Sequence, residues 1–136
     1  MNVKEYLSQA MWLDQTINSK IKHVESLRSL AMKVTTDTSR ERVSGGPIDR
    51  SPMEKTIVKI VDLENEINAE IDRLVDLKTD ILKSINRLKD PVCQLLLELR
   101  YVQGQSWEDV ALALGYSERT IFSIHGRALK KFEDVQ

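Results

Sequence analysis

Between residues 3 and 34 apolar side chains return at alternating intervals of four and three: Tyr6, Ala10, Leu13 and Ile17, then Val24, Leu27, Ala31 and Val34, with Lys20 interrupting the series. That spacing places all of them along one side of a helix, so it predicts a single long amphipathic helix over 3–34. The following stretch, Thr35 to Pro52, is polar and holds Gly45, Gly46, Pro47 and Pro52, residues that end helices or permit tight turns; it reads as a connecting loop. A second helix is expected from Ser51, placed as N-cap, with Pro52 at the first helical position where its missing N–H costs nothing, running to about Lys89. Its seam is Ile57, Ile60, Glu64, Ile67, Ile71, Leu74, Lys78, Ile81, Ile85 and Leu88, a repeat that specifies a coiled-coil face.

At about 1.5 Å rise per residue both helices come to roughly 50 Å, so they can lie side by side. Two helices alone bury little apolar surface, and their seam residues need each other or a second copy of the chain. We therefore expect an antiparallel hairpin that also self-associates, with Leu13, Ile17, Val24, Ile60, Ile67, Ile71, Leu74 and Ile81 as the oligomerisation contacts. Lys20, Glu64 and Lys78 either fix register and oligomer state from within the seam or reach past it into solvent. A loop of this length permits pairing within one chain or exchange between chains.

The pattern changes at Asp90-Pro91, where Asp can cap and Pro can occupy the first turn of a new helix. Three shorter helices are expected: about 91–103, ended by Gly104; about 107–114, capped by Ser106 and ended by Gly115; and about 118–133, capped by Ser117. The last two meet the demands of a helix-turn-helix. Ala111 is small enough to let the second helix approach, Gly115 tolerates the positive φ of the turn, and Val110, Leu114, Ile121 and Ile124 supply the apolar lock. The expected architecture is all-α: a long, coiled-coil-like helical hairpin over 1–89, with its loop at 35–52, followed by a three-helix helix-turn-helix domain over 90–136.

Composition narrows the function classes. With 41% hydrophobic and 30% charged residues, five Gly and three Pro, the chain suits a helix-rich soluble protein. No run approaches the roughly 18 apolar residues of a membrane span, and the charged N-terminus does not resemble a signal peptide, so a cytoplasmic location is expected. Cys93 is the lone cysteine and, lying among Val92, Leu95 and Leu96, is read as a buried packer. With only His23 and His125 beside it no metal site is expected. No P-loop, Gly-rich dinucleotide turn or Ser/His/Asp set is present, so neither a cofactor nor enzymatic activity is expected. Residues 90–136 carry five Lys/Arg against seven Asp/Glu, but Ser117 to Phe132 holds Arg119, Arg127, Lys130 and Lys131 against Glu118 alone. Positive charge thus gathers on the last helix, where phosphate contacts would fall.

The run SWEDVALALGYSERTIFSIHGRALKKF resembles region four of bacterial primary sigma factors: a Ser-capped helix, a Gly turn and a Ser-capped recognition helix lead into Ala128, Leu129, Lys130, Lys131 and Phe132. The preceding LLLELRYVQGQS resembles that family's first helix. A helical N-terminal half joined to such a C-terminus is similar to the RinA/ArpU-like group of late-gene transcription regulators of phages and prophages. The resemblance implies a sequence-specific regulator that binds double-stranded DNA near a promoter as an oligomer, with RNA polymerase as a further candidate partner.

By position in that pattern, the DNA-facing residues are Ser117, Glu118, Arg119, Thr120, Phe122, Ser123, Arg127 and Lys130. Arg119 is the first choice for reading a guanine edge, because the first turn of a recognition helix enters the major groove. Thr120 and Ser123 suit bases or phosphate, Arg127 and Lys130 suit the backbone, and the helix start at Ser117 can present N–H groups to phosphate. Phe122 either meets a thymine methyl or packs on a protein surface. Trp107 is read as a core residue, His125 as an exposed helix residue with no special task, and Trp12 as part of the hairpin or oligomer contact. Glu118, Phe122 and Ser123 depart from the sigma pattern, so its target sequence does not carry over. Two other classes remain open: a small-terminase-like DNA-packaging adaptor, which would form rings, and a polymerase-binding protein that does not read DNA.

Overall fold

The computed structural model describes the backbone of residues 1–41 and 51–136 and the side chains of 1–33 and 51–136. These residues form five helices and no strand: α1 (Val3–Glu41), α2 (Ser51–Ile85), α3 (Pro91–Leu97), which continues as a π-helical turn over Glu98–Val102, α4 (Trp107–Leu114) and α5 (Glu118–Val135). None of the described helices is long and apolar enough to cross a membrane. The chain is all-α, as its periodicity predicts. α1 runs past the expected end at residue 34, because no Gly or Pro interrupts 35–41. Of the expected loop, Gly45, Gly46 and Pro47 lie outside the described residues, as does the side chain of Val34.

Contacts divide the chain into two compact units, Gln15–Asp72 and a second made of Met1–Asp14 with Arg73–Gln136. The division does not fall at 89/90, where the sequence pattern changes. The start of α1 and the end of α2 share a core with the C-terminal helices, and this overrides the change of local period. In that unit Leu7, Ala10, Ile81, Ile85 and Leu88 are buried. The Tyr6 ring lies 6.2 Å from that of Phe132, Arg87 donates to the Val135 carbonyl at 3.2 Å, and Gln94 donates to the Leu88 carbonyl at 2.5 Å.

In the unit Gln15–Asp72 the two long helices pair antiparallel. Lys20 reaches Glu70 at 2.5 Å and Glu66 at 3.4 Å, while Arg28, further along α1, pairs with Glu64, earlier on α2. Ile17 and Val24 of α1 and Ile60 and Ile67 of α2 are buried between these flanking ion pairs. Lys20 and Glu64 therefore lie at the borders of the seam and hold charged partners across it. The hydrogen bond to Glu70 is the main reason the Lys20 ammonium is held above its ordinary pKa.

The inward face of α2 is narrower than its sequence repeat. Ile60, Ile67, Leu74 and Ile81, one per seven residues, are buried, while Ile57 and Ile71 of the same series are exposed. A helix with one long neighbour covers a single ridge, and residues three positions away rotate out of its reach. Six of the eight residues assigned to oligomerisation, Ile17, Val24, Ile60, Ile67, Leu74 and Ile81, are thus buried within the single chain; Leu13 is half-buried and only Ile71 is exposed.

Candidate nucleic-acid interface

The C-terminal helices begin and end where local chemistry dictates. The Asp90 carboxylate accepts from the Val92 and Cys93 amides at 3.0 and 3.3 Å and starts α3, with Pro91 at its first position. The π-helical turn then widens the helix so that Leu96 and Tyr101, five residues apart, are both buried. Ser106 caps α4 by accepting from the Asp109 amide at 3.1 Å. α4 stops at Gly115, whose φ of 75° is left-handed backbone that side chains with a Cβ disfavour. Ser117 caps α5, accepting from the Thr120 amide at 3.2 Å and donating to the Thr120 hydroxyl at 3.0 Å.

These caps fix the rotation of α5. Ile121, Ile124, His125, Ala128 and Phe132 form its buried face, against the buried Val110 and Ala111 of α4 and the apolar side of α3. Leu114, the fourth residue of the expected lock, is half-buried. On the other face Ser117, Glu118, Arg119, Thr120, Phe122, Ser123, Arg127 and Lys130 are all exposed, so the eight residues assigned to DNA contact share one solvent-facing surface of the helix. Ser117 and Thr120 carry the cap as well, which leaves Arg119, Phe122 and Ser123 as the side chains of the first two turns with no role in forming the helix.

The positive charge of α5 is partly committed inside the protein. Lys131 donates to Asp90 at 3.0 Å, and Arg127 lies 4.0 Å from the same carboxylate. The Lys131 hydrogen bond, followed by that from the Cys93 amide, lowers the Asp90 pKa to about 2. Arg127 thus leans toward α3 although more than half of its side chain is exposed, and Arg119 and Lys130 form no ion pair among the described residues. Cys93, expected as a packer, is fully buried, and desolvation raises its thiol pKa.

His125 overturns its expectation: it is buried, with its Nε2 in a 2.7 Å hydrogen bond with the Tyr101 hydroxyl. Burial, aided by the positive charges of Lys4 and Arg100, lowers the imidazole pKa to about 4, and burial raises the Tyr101 phenol to about 12, so a neutral pair joins α3 to α5. Trp107 sits between them and the surface. Its ring meets His125 edge-on at 4.5 Å and Phe122 at 5.4 Å, and the Arg100 guanidinium lies 4.5 Å over it while donating to the Gln105 carbonyl at 2.9 Å. Trp107 is half-buried rather than fully in the core. Phe122, half of it exposed, is the outer end of this aromatic chain. The sequence carried a signal for His125: it falls on the stripe Ile121, Ile124, Ala128 and Phe132 that helical spacing turns inward.

Residues 32–133 match the model of a family described as proteins of unknown function, DUF1492, and the chain belongs to that family. No curated protein and no solved structure matches the chain.

Proposed function

We propose that this protein is a sequence-specific DNA-binding transcription regulator, of phage or mobile-element genes, that acts as an oligomer. The observation that carries the reading is the exposed face of α5. Its capped first turns present Glu118, Arg119, Thr120, Phe122 and Ser123 outward, while four apolar residues and the neutral His125 hold the opposite face against α3 and α4. A recognition helix needs this division, because its base-reading side chains must be free while the helix itself stays rigid. The likeness of residues 95–132 to sigma region four supports the same reading. With Lys131 and Arg127 leaning on Asp90, a single head has few cations for phosphate, and joining two heads on one duplex compensates by raising effective concentration.

Selection of bound duplexes from a random DNA library, with the wild-type chain and Arg119→Ala in parallel, tests this. The expected result is an enriched motif that loses preference at one base position in the variant, a change of about 1–3 kcal/mol in discrimination. No enrichment by a folded wild-type chain would overturn the reading. That result would favour a head that binds protein, RNA polymerase being the candidate, for which the 76% exposed Leu112 of α4 offers an apolar contact.

A further inference from the structure

α2 carries a second apolar stripe, distinct from the one that faces α1. Ile57, Val61, Ile71 and Val75 are 47%, 49%, 38% and 56% exposed, and with Glu64, Asn68 and Lys78 they continue one alternation of four and three along the helix. Beside it, in the unit Gln15–Asp72, an open groove of about 360 Å³ runs between the helices, lined by Ile21, Val24, Arg28, Glu64, Ile67 and Asn68. A surface helix normally buries one stripe; a second at seam spacing requires another cover.

The polar residues within this stripe identify the cover. We propose that a second copy of the chain docks here, α2 against α2, antiparallel about a two-fold axis. Ile57 then lies opposite Val75 of the other copy, Val61 opposite Ile71, Glu64 opposite Asn68, and Glu54 opposite Lys78. In this register every apolar residue of the stripe meets an apolar one. Asn68 can donate to the Glu64 carboxylate, whose charge Arg28 of its own chain already balances, and Lys78 meets a carboxylate. A parallel in-register pair instead stacks Glu64 on Glu64 and Lys78 on Lys78, which like-charge repulsion disfavours. Sliding the antiparallel pair by one heptad sets Val61 against Lys78, Glu64 against Val75 and Asn68 against Ile71. A two-fold interface must be complementary to itself, and this register alone among the three is. The inference gives a geometry to the oligomer of the proposed function and rests on hairpin residues only, so it is tested without DNA.

The test uses the full chain in a Cys93→Ala background. Val61→Cys combined with Ile71→Cys is expected to yield a disulfide-linked dimer under mild oxidation. Within one helix the two positions are about 15 Å apart, too far for a disulfide inside the chain. Val61→Cys alone should cross-link at least tenfold less; equal cross-linking by the single variant would indicate a parallel pair and overturn the register. Without cysteines, Lys78→Glu is expected to raise the dimer dissociation constant about tenfold in sedimentation experiments, with Glu54→Lys restoring it. A monomer at 100 μM or more, or an uncoupled response of these two charges, would overturn the proposal. A monomer that still selects a DNA motif would sink the register and leave the DNA reading standing, and a dimer that selects none would do the reverse.

Discussion

On α5 Ile121, Ala128 and Phe132 are entirely excluded from solvent, whereas between Ile57 and Ile67 of α2 even the inward Ile60 and Ile67 keep 8% and 7% of their surface exposed. Both helices have a regular apolar repeat. They differ in how many neighbours cover it: α3 and α4 pack on α5 and Tyr6 of α1 adds to them, while in its own unit this stretch of α2 has α1 on one side. The residues left over differ accordingly. On α5 they are polar or charged apart from Phe122; on α2 they include, among many charged residues, the apolar Ile57, Val58, Val61 and Ile71. Similar periodicity thus gives a fully covered stripe on α5 and an incompletely covered one on α2.

The largest effect should come from opening the closed core. Phe132→Ala removes a fully buried ring and the contact with Tyr6, and is expected to lower unfolding stability by about 3–5 kcal/mol in urea. A loss under about 1 kcal/mol would mean that the start of α1 does not share a core with α5. Acid provides the next test. The folded chain holds His125 near 4 against an ordinary value of 6.5, so between those limits the unfolded chain binds more protons; stability is level above about pH 6.5 and falls as pH drops toward 4. At pH 5 the loss should reach about 2 kcal/mol, and His125→Gln should flatten the profile. If the wild-type urea midpoint is the same at pH 7 and pH 5, the imidazole is not held neutral in the core.

Smaller effects separate local geometry from packing. Ser117→Ala and Gly115→Ala should each destabilise by about 1 kcal/mol, the first through a lost cap and the second through strain at positive φ, with the difference visible as a lower thermal midpoint. At the other extreme, Arg28→Ala should change stability by no more than about 0.5 kcal/mol, because the Arg28–Glu64 pair is well exposed. A larger loss that appears only at concentrations where copies associate would come from Glu64, whose charge Arg28 balances at the proposed α2–α2 interface.

The caps at Asp90, Ser106 and Ser117, the left-handed turn at Gly115 and the three C-terminal helices they bound were legible in the sequence, because each depends on residues within about four positions of one another; the ends of α1 and α2 were not, α1 reaching Glu41 and α2 stopping at Ile85. The outward set on α5 was named from its resemblance to sigma region four, and those positions fall off the buried stripe of the helix. Which side of α2 would face α1 was not legible. The series from Ile57 to Leu88 contains two possible ridges, and the choice between them depends on how the two helices pack, with Lys20 meeting Glu70 and Arg28 meeting Glu64 across the chain. The commitment of Lys131 and Arg127 to Asp90, about forty residues earlier, and the neutral contact of His125 with Tyr101 likewise exist only once the helices meet. Sequence by itself determined where the capped helices start and which of their positions are apolar; tertiary structure decided which apolar and charged groups are used up inside the chain, because burial depends on how many neighbours surround a side chain and no local pattern contains that number.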